Sequence, residues 1–229
     1  MKKFFQQKPD QQDPKFWGFT LIALSLLFVL LTWLVLNDTY IDFDYSVSAS
    51  LQRDKSALFQ NVMIGMSYFG NVPFAFTVIV ITSLIFYLYK KKQEALLIVS
   101  ALFTGIISWC LKILINRPRP TAELVNVFQE NTFKSFPSGH VLFYSVYFGF
   151  LGIIVYHSRS FSALWKKLII SVLVIFAVLG AISRIYLGAH WFTDVLGGMI
   201  LGTQILIIGG FYYSKNKKKN NEDTTYYKI

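Results

Sequence analysis

The chain has 229 residues, of which 54% are hydrophobic and only 15% charged, with a mean hydropathy of +0.48. Soluble domains are about a quarter charged, so this composition, with its long unbroken apolar blocks, excludes that class and points to an integral membrane protein. The net charge of +10 does not imply a nucleic-acid partner, because the basic residues flank apolar spans and no nucleic-acid-binding module is present.

Residues 1–16 form a polar tail carrying Lys2, Lys3, Lys8 and Lys15. Residues 17–36 follow as an apolar block long enough to cross a bilayer of roughly 30 Å. This block exceeds the roughly 7–15-residue core of a signal peptide and has no small-residue cleavage site after it, so it reads as a retained anchor. Residues 37–71 are mixed, with Asp38, Asp42, Asp44 and Asp54 against Arg53 and Lys55. Their second part, 57–69, fits either an interfacial helix or an extension of the next span.

The second span is predicted over 73–89, ending at Lys90–Lys92, and the third over 95–115. Pro118 and Pro120 stop the third helix. A long loop, 116–139, leads into span four at 140–156. Span five covers 168–182 and span six 191–213. A polar tail, residues 214–229, is expected to be disordered. The predicted architecture is thus an all-α bundle of six transmembrane helices (17–213) between two basic tails (1–16 and 214–229).

Six spans place both termini on one side. Fifteen of the 22 Lys and Arg residues fall on that side, among them Lys90–Lys92, Arg159, Lys166 and Lys167. By the positive-inside rule the termini are cytoplasmic. The acidic first loop, the 116–139 loop and the 183–194 junction then face outward. Gly198 and Gly202 form a small-xxx-small pair that admits a close neighbouring helix.

Three polar clusters converge on the outward face. In the first, Lys112 lies near the end of span three and Arg119 just beyond it, a pair that can clamp an anion. The second, Pro137-Ser138-Gly139-His140, opens span four, where free backbone N–H groups at a helix N-terminus suit a phosphate. The third runs from Ser183-Arg184 to His190 and Asp194. The last two lie four apart, one face of a helix, so Asp194 can hold one imidazole nitrogen.

Each cluster alone has an ordinary explanation: a snorkelling lysine, a helix cap, an interfacial histidine. Their co-occurrence points to phosphoryl transfer. Lys112, Arg119 and Arg184 can neutralise the non-bridging oxygens. A neutral His190 oriented by Asp194 can attack phosphorus, and a protonated His140 can supply the leaving group's proton. This chemistry calls for no metal and no cofactor. With one cysteine, Cys110, and three histidines, His140, His157 and His190, neither a disulfide nor a cysteine- or histidine-rich metal site is expected.

The motifs Lys112-x6-Arg119-Pro120, Pro137-Ser138-Gly139-His140 and Ser183-Arg184-x5-His190-x3-Asp194 resemble the three motifs of the type 2 phosphatidic acid phosphatase (PAP2) superfamily, complete and in order. The resemblance implies a phosphohistidine on His190, general acid catalysis by His140, and phosphate binding by Lys112, Arg119, Ser138, Gly139 and Arg184. It further implies metal-independent hydrolysis of a lipid phosphate or diphosphate at the outer membrane surface. Phosphatidylglycerophosphate, phosphatidic acid and undecaprenyl diphosphate are the candidate substrates.

A phosphotransferase would share the first half-reaction and stays open. An anion or lipid transporter would use the cations alone, and it would need neither the His190–Asp194 pair nor the second histidine. Arg117 and Lys134, outside the motif positions, are expected to contact the headgroup or a second phosphate. The expected partners are the lipid substrate and membrane lipids, with the basic tails against anionic headgroups; no protein partner is evident.

Overall fold

A computed structural model of the chain describes residues 14–37, 41–54, 56–129 and 132–226, with side chains as far as Lys217. Lys2, Lys3, Lys8 and Lys55 of the charge pattern lie outside the described residues, as do the side chains of the C-terminal tail beyond Lys217. Every regular element among the described residues is helical. They are α1 (Pro14–Leu36), α2 (Ile41–Leu51), α3 (Ala57–Tyr68), α4 (Val72–Leu88), α5 (Lys92–Val99), α6 (Phe103–Ile115), α7 (Gly139–His157), α8 (Ala163–Tyr186) and α9 (Phe192–Tyr226). A 3₁₀ turn, Ser100–Leu102, joins α5 to α6, so the two form one run over Lys92–Ile115.

Five helices or helical runs are long and apolar enough to cross a membrane, and six are if the bent pair α3–α4 counts as one. The segment expected at 57–69 supplies the first helix of that pair. The segment is a helix of its own, bent 61° from α4. Ser56 caps its start by accepting a hydrogen bond from the Phe59 amide at 3.2 Å. Asn71 and Pro73 begin α4 with the fixed φ that suits a first turn. Gly70 sits at the break because α7 passes directly beneath it. A β-carbon there would fall 2.3 Å from His140 and 2.5 Å from the Tyr144 hydroxyl.

Two further expectations change. Residues 41–51 of the acidic first loop form α2, which the sequence pattern did not suggest. Helix α9 runs to Tyr226, so the tail expected to be disordered from 214 continues as helix. Lysine and glutamate are tolerant helix formers, and a helix already nucleated over the apolar part of α9 extends cheaply by one residue at a time.

Helix α7 is the centre of the bundle. Its buried positions, Val141, Leu142, Phe143, Tyr144, Val146, Tyr147, Phe150 and Ile154, point all round the axis. This is why its sequence is apolar without a polar stripe. It packs between α8 and α9. Lipid is as apolar as a leucine side chain, so close packing rather than water exclusion holds such helices together.

The Gly198/Gly202 expectation holds in detail. A β-carbon on Gly198 would lie 2.8 Å from the Ser138 carbonyl oxygen, and one on Gly202 would lie 2.4 Å from Ser145 Cβ. Both contacts bring α9 onto α7. At Gly198 the neighbour is α7 backbone, which cannot swing aside. Gly198→Val is therefore expected to lower the melting temperature of the detergent-solubilised protein, at the roughly 1–3 kcal/mol typical of overpacking. Gly152→Ala, where nothing lies within 4 Å, should melt with the parent.

Candidate functional site

The site forms where α6 ends, α7 begins and α8 turns into α9. Helix α6 stops at Asn116, whose left-handed conformation (φ 55°) closes the helix with a bond to the Lys112 carbonyl. The chain then runs through Arg117-Pro118-Arg119-Pro120. A residue before proline is confined to extended backbone, so Arg117 and Arg119, two apart, project to a common side.

Arg119 and Arg117 grip the two ends of one pair. His190 directs Nδ1 at Asp194 Oδ2, 3.3 Å away, and Nε2 at the Arg119 guanidinium, 3.2 Å away. A guanidinium can only donate. His190 Nε2 is therefore the unprotonated nitrogen, and the Nδ1–H donates to Asp194. Burial, reinforced by Arg119, Lys112 and Arg184, lowers the His190 pKa well below its ordinary value, so the ring is neutral at neutral pH.

Asp194 is fully buried and accepts from four donors. Besides His190 these are the Trp191 amide at 2.9 Å, the Ser135 hydroxyl, and Arg117 at 2.5 Å. Arg119 also holds the loop in place, donating to the carbonyls of Phe133 (2.5 Å), Ala189 (2.5 Å) and Lys134 (3.3 Å). Its pKa is lowered by burial.

The remaining motif residues lie around this pair. Lys112, in the last turn of α6, is buried and donates to the carbonyls of Lys134 (2.7 Å) and Ser135 (2.8 Å). Arg184, 1% exposed, closes α8; it donates to the Ser67 hydroxyl and, at 3.0 Å, to the Gln129 side chain. Its Nε has no hydrogen-bond partner among the described residues, and neither has the buried Ser138 hydroxyl. Ser138 stands at the cap position of α7, but its side chain makes no capping bond, and its amide donates to the Asp194 carbonyl at 3.0 Å. His140 Nε2 faces Asn71 Oδ1 at 3.2 Å. Lys112, Arg119, Arg184 and His190 all lie within electrostatic reach of His140. The structure thus brings the eight candidate site residues together, Arg119, Gly139 and His140 half-buried and the other five buried.

Gly139 also lies where two helices approach closely. A β-carbon there would fall 2.8 Å from the Ser108 hydroxyl, so the glycine lets α6 approach the start of α7. Its backbone N–H remains at the helix N-terminus.

Arg117 departs from its expected role. It is 5% exposed and spends its guanidinium on carboxylates, with Asp44 at 2.7 Å and Asp194 at 2.5 Å, and on the Thr193 hydroxyl at 2.7 Å. It is a buried structural cation, not a headgroup contact. The two carboxylates outweigh burial and raise its pKa. Lys134 supplies its carbonyl oxygen to Lys112 and Arg119.

Several polar residues next to the motifs escaped sequence reasoning: Asp44, Asn71, Gln129, Ser135 and Thr193. Asn71 alone had a local signal, an Asn-x-Pro helix start. The others act across long stretches of chain.

The chain is similar to known proteins along most of its length. The chain is 29% identical over 188 residues to phosphatidylglycerophosphatase B of Bacillus subtilis, an alignment covering 82% of this chain and 91% of that one. It is 25% identical over 196 residues to the undecaprenyl-diphosphatase of Sulfolobus acidocaldarius, covering 83% and 88%. Among solved structures, that of a transmembrane PAP2-type phosphatidylglycerolphosphate phosphatase from Bacillus subtilis superposes with a TM-score of 0.77 at 26% identity, covering 86% of this chain and 97% of that one. The sequence pattern of the PAP2 superfamily matches residues 93–219, a stretch that begins in α5 and takes in all three polar clusters, and the chain belongs to that superfamily.

Proposed function

We propose that this membrane enzyme, a lipid phosphate phosphatase, cleaves its substrate through a phosphohistidine on His190 at the outer face of the membrane. The observation that carries the reading is the two-ended grip on His190. Asp194 holds Nδ1–H and leaves the Nε2 lone pair beside a guanidinium that binds oxyanions.

Nε2 attacks phosphorus as the bond to the lipid oxygen breaks, and His140 protonates that leaving oxygen. Water, giving its proton to His140, then attacks phosphorus as the phosphorus–Nε2 bond breaks, which frees neutral His190 and inorganic phosphate. Lys112, Arg119, Arg184, the Ser138 hydroxyl and the α7 N-terminal amides of Gly139 and His140 balance the charge on the non-bridging oxygens. The unpartnered Ser138 hydroxyl and Arg184 Nε support an oxyanion at this point, since buried donors are otherwise nearly always satisfied. These cations supply the charge a metal would supply, so the reaction is metal-independent.

The substrate class is an amphiphile whose tails stay in the bilayer: phosphatidylglycerophosphate, phosphatidic acid or undecaprenyl diphosphate. The names of the two relatives support the first and the last. The charge asymmetry supports cytoplasmic termini, with 1–16 and 214–229 as cytoplasmic tails and 17–213 as the membrane phosphatase domain. That orientation turns the site outward.

The purified protein, assayed in detergent with a chelator present, is expected to release phosphate from at least one of these lipids. His190→Ala and His140→Ala should each lose about 10³-fold or more in kcat. Release that survives His190→Ala excludes the mechanism, and transfer to an added alcohol in place of water would identify a phosphotransferase.

The pH profile follows from the His190 shift. Its pKa is lowered in the folded protein, so the nucleophile stays active as pH falls through 6.5, and the acid limb of kcat should lie below that value. The same sign applies to stability: the neutral buried ring contributes fully above 6.5, and the contribution is lost as pH falls towards the folded-state pKa. An acid limb above pH 7 would contradict the buried, cation-flanked ring. Asp194→Asn is expected to reduce kcat and the melting temperature together, because that carboxylate both orients His190 and anchors Arg117. A fall in kcat with the parent's melting temperature would show that Arg117 does not depend on it.

A further inference from the structure

Helix α2 belongs to none of the catalytic motifs, yet both its ends are tied to them. At its C-terminal end the Gln52 side chain donates to the carbonyls of Asn126 (2.7 Å) and Tyr186 (2.8 Å) and accepts from the Asn126 amide (3.0 Å). At its N-terminal end Asp44 is wholly buried. Asp44 Oδ1 accepts from the Thr193 amide at 2.8 Å, in the first turn of α9. Asp44 Oδ2 accepts from the Thr193 hydroxyl at 2.6 Å and from Arg117 at 2.7 Å. Arg117 in turn donates to Asp194, and Asp194 accepts from His190. An unbroken chain of buried hydrogen bonds thus runs from α2 to the imidazole.

We propose that Asp44 is a positioning residue for the phosphatase reaction, sharing the charge of Arg117 with Asp194 and so setting how strongly Asp194 draws on the Nδ1–H of His190. The proposal rests on the reading of His190 as nucleophile. Asp44 touches neither the imidazole nor the remaining motif cations. Its leverage is electrostatic. Around His190 stand Lys112 from α6, Arg117 and Arg119 from the following loop, His140 from α7 and Arg184 from α8. The carboxylates set against them are Asp194 on α9 and Asp44 on α2.

With Asp44 in place the guanidinium divides its charge between two carboxylates. Without it the whole charge falls on Asp194, which then accepts the Nδ1–H more weakly and leaves Nε2 less basic. Removing Arg117 does the reverse: both carboxylates are left without their shared cation, and the imidazole is held more firmly in its protonated form. A helix-capping role alone predicts neither shift.

The test is ¹⁵N NMR of imidazole-labelled full-length protein in detergent, titrated with pH. The chain has only three histidines, so His190 is assigned from the signal that His190→Gln removes. Asp44→Asn should move the His190 midpoint down, and Arg117→Gln should move it up, each by at least about half a unit, roughly threefold in the acid dissociation constant. The double variant should return towards the parent. Thr193→Val, which removes a neutral hydroxyl from the same ring of bonds, should leave the midpoint in place.

In activity assays Asp44→Asn should lower kcat about 10-fold or more with KM within about twofold, as expected of an interaction made in the transition state. If Asp44→Asn does not fold, the upward shift in Arg117→Gln carries the test. Midpoints unchanged in both charge variants, or a Thr193→Val shift equal to that of Asp44→Asn, would overturn the proposal. The titration is independent of turnover. Activity surviving in His190→Ala would therefore defeat the reading of the nucleophile while leaving the charge coupling to be read directly.

Discussion

Everything at this end of the bundle answers to one buried carboxylate. Asp194 has no access to solvent, and an ionised group in that position is costly unless several donors surround it. It receives them from four places: the imidazole one turn back, the amide that opens its own helix, a hydroxyl from the 116–138 loop and a guanidinium from the start of that loop. Satisfying Asp194 thus fixes where α9 starts, how the loop folds back and which tautomer His190 adopts. Removing one partner of a buried ion pair typically costs about 3–5 kcal/mol, so the catalytic geometry and the local stability share the same bonds.

The apolar part of the protein delivers three helix ends to that carboxylate. Lipid offers no hydrophobic gain for bringing helices together, and close approach has to come from small residues. Gly198 rests against the Ser138 carbonyl, Gly139 against Ser108 and Gly70 against His140. These contacts lie near the starts of α9 and α7 and at the α3–α4 break, where a displacement of an ångström would separate the histidines from the cations. The bend between α3 and α4 has the same logic. A straight helix would carry Asn71 past His140 instead of ending beside it.

The parts of this arrangement that were legible in the sequence are those written in local spacing. The spans appear as apolar blocks, the third helix ends at its prolines, and His190 and Asp194 declare a shared face by their four-residue separation. The motif residues could be grouped because each lies at a helix boundary on the same side of the bilayer. Asp44 could not be placed this way. Its partners Thr193 and Arg117 are 149 and 73 positions away, and one aspartate among several in a mixed loop carries no mark of burial. The bend at Gly70 and the helical tail were hidden for a different reason. The apolar run of 57–69 fits a straight or a broken helix equally well, and the polar composition of the tail fits either coil or a helix extended from α9.

Arg117 and Arg119 make the limit concrete. They are the same residue type, two positions apart, each followed by proline, and sequence reasoning assigned one to a motif and the other to the lipid headgroup. The prolines hold both in extended backbone, so both reach towards the start of α9. Arg119 meets the Nε2 end of the His190–Asp194 pair, where a phosphoryl oxygen can share it. Arg117 meets the carboxylate end, where Asp44 completes its coordination. The spacing of two matches the span of the pair, so the two arginines hold its two ends. Conversion of either to lysine would keep the charge and lose the planar fork that joins two acceptors at once.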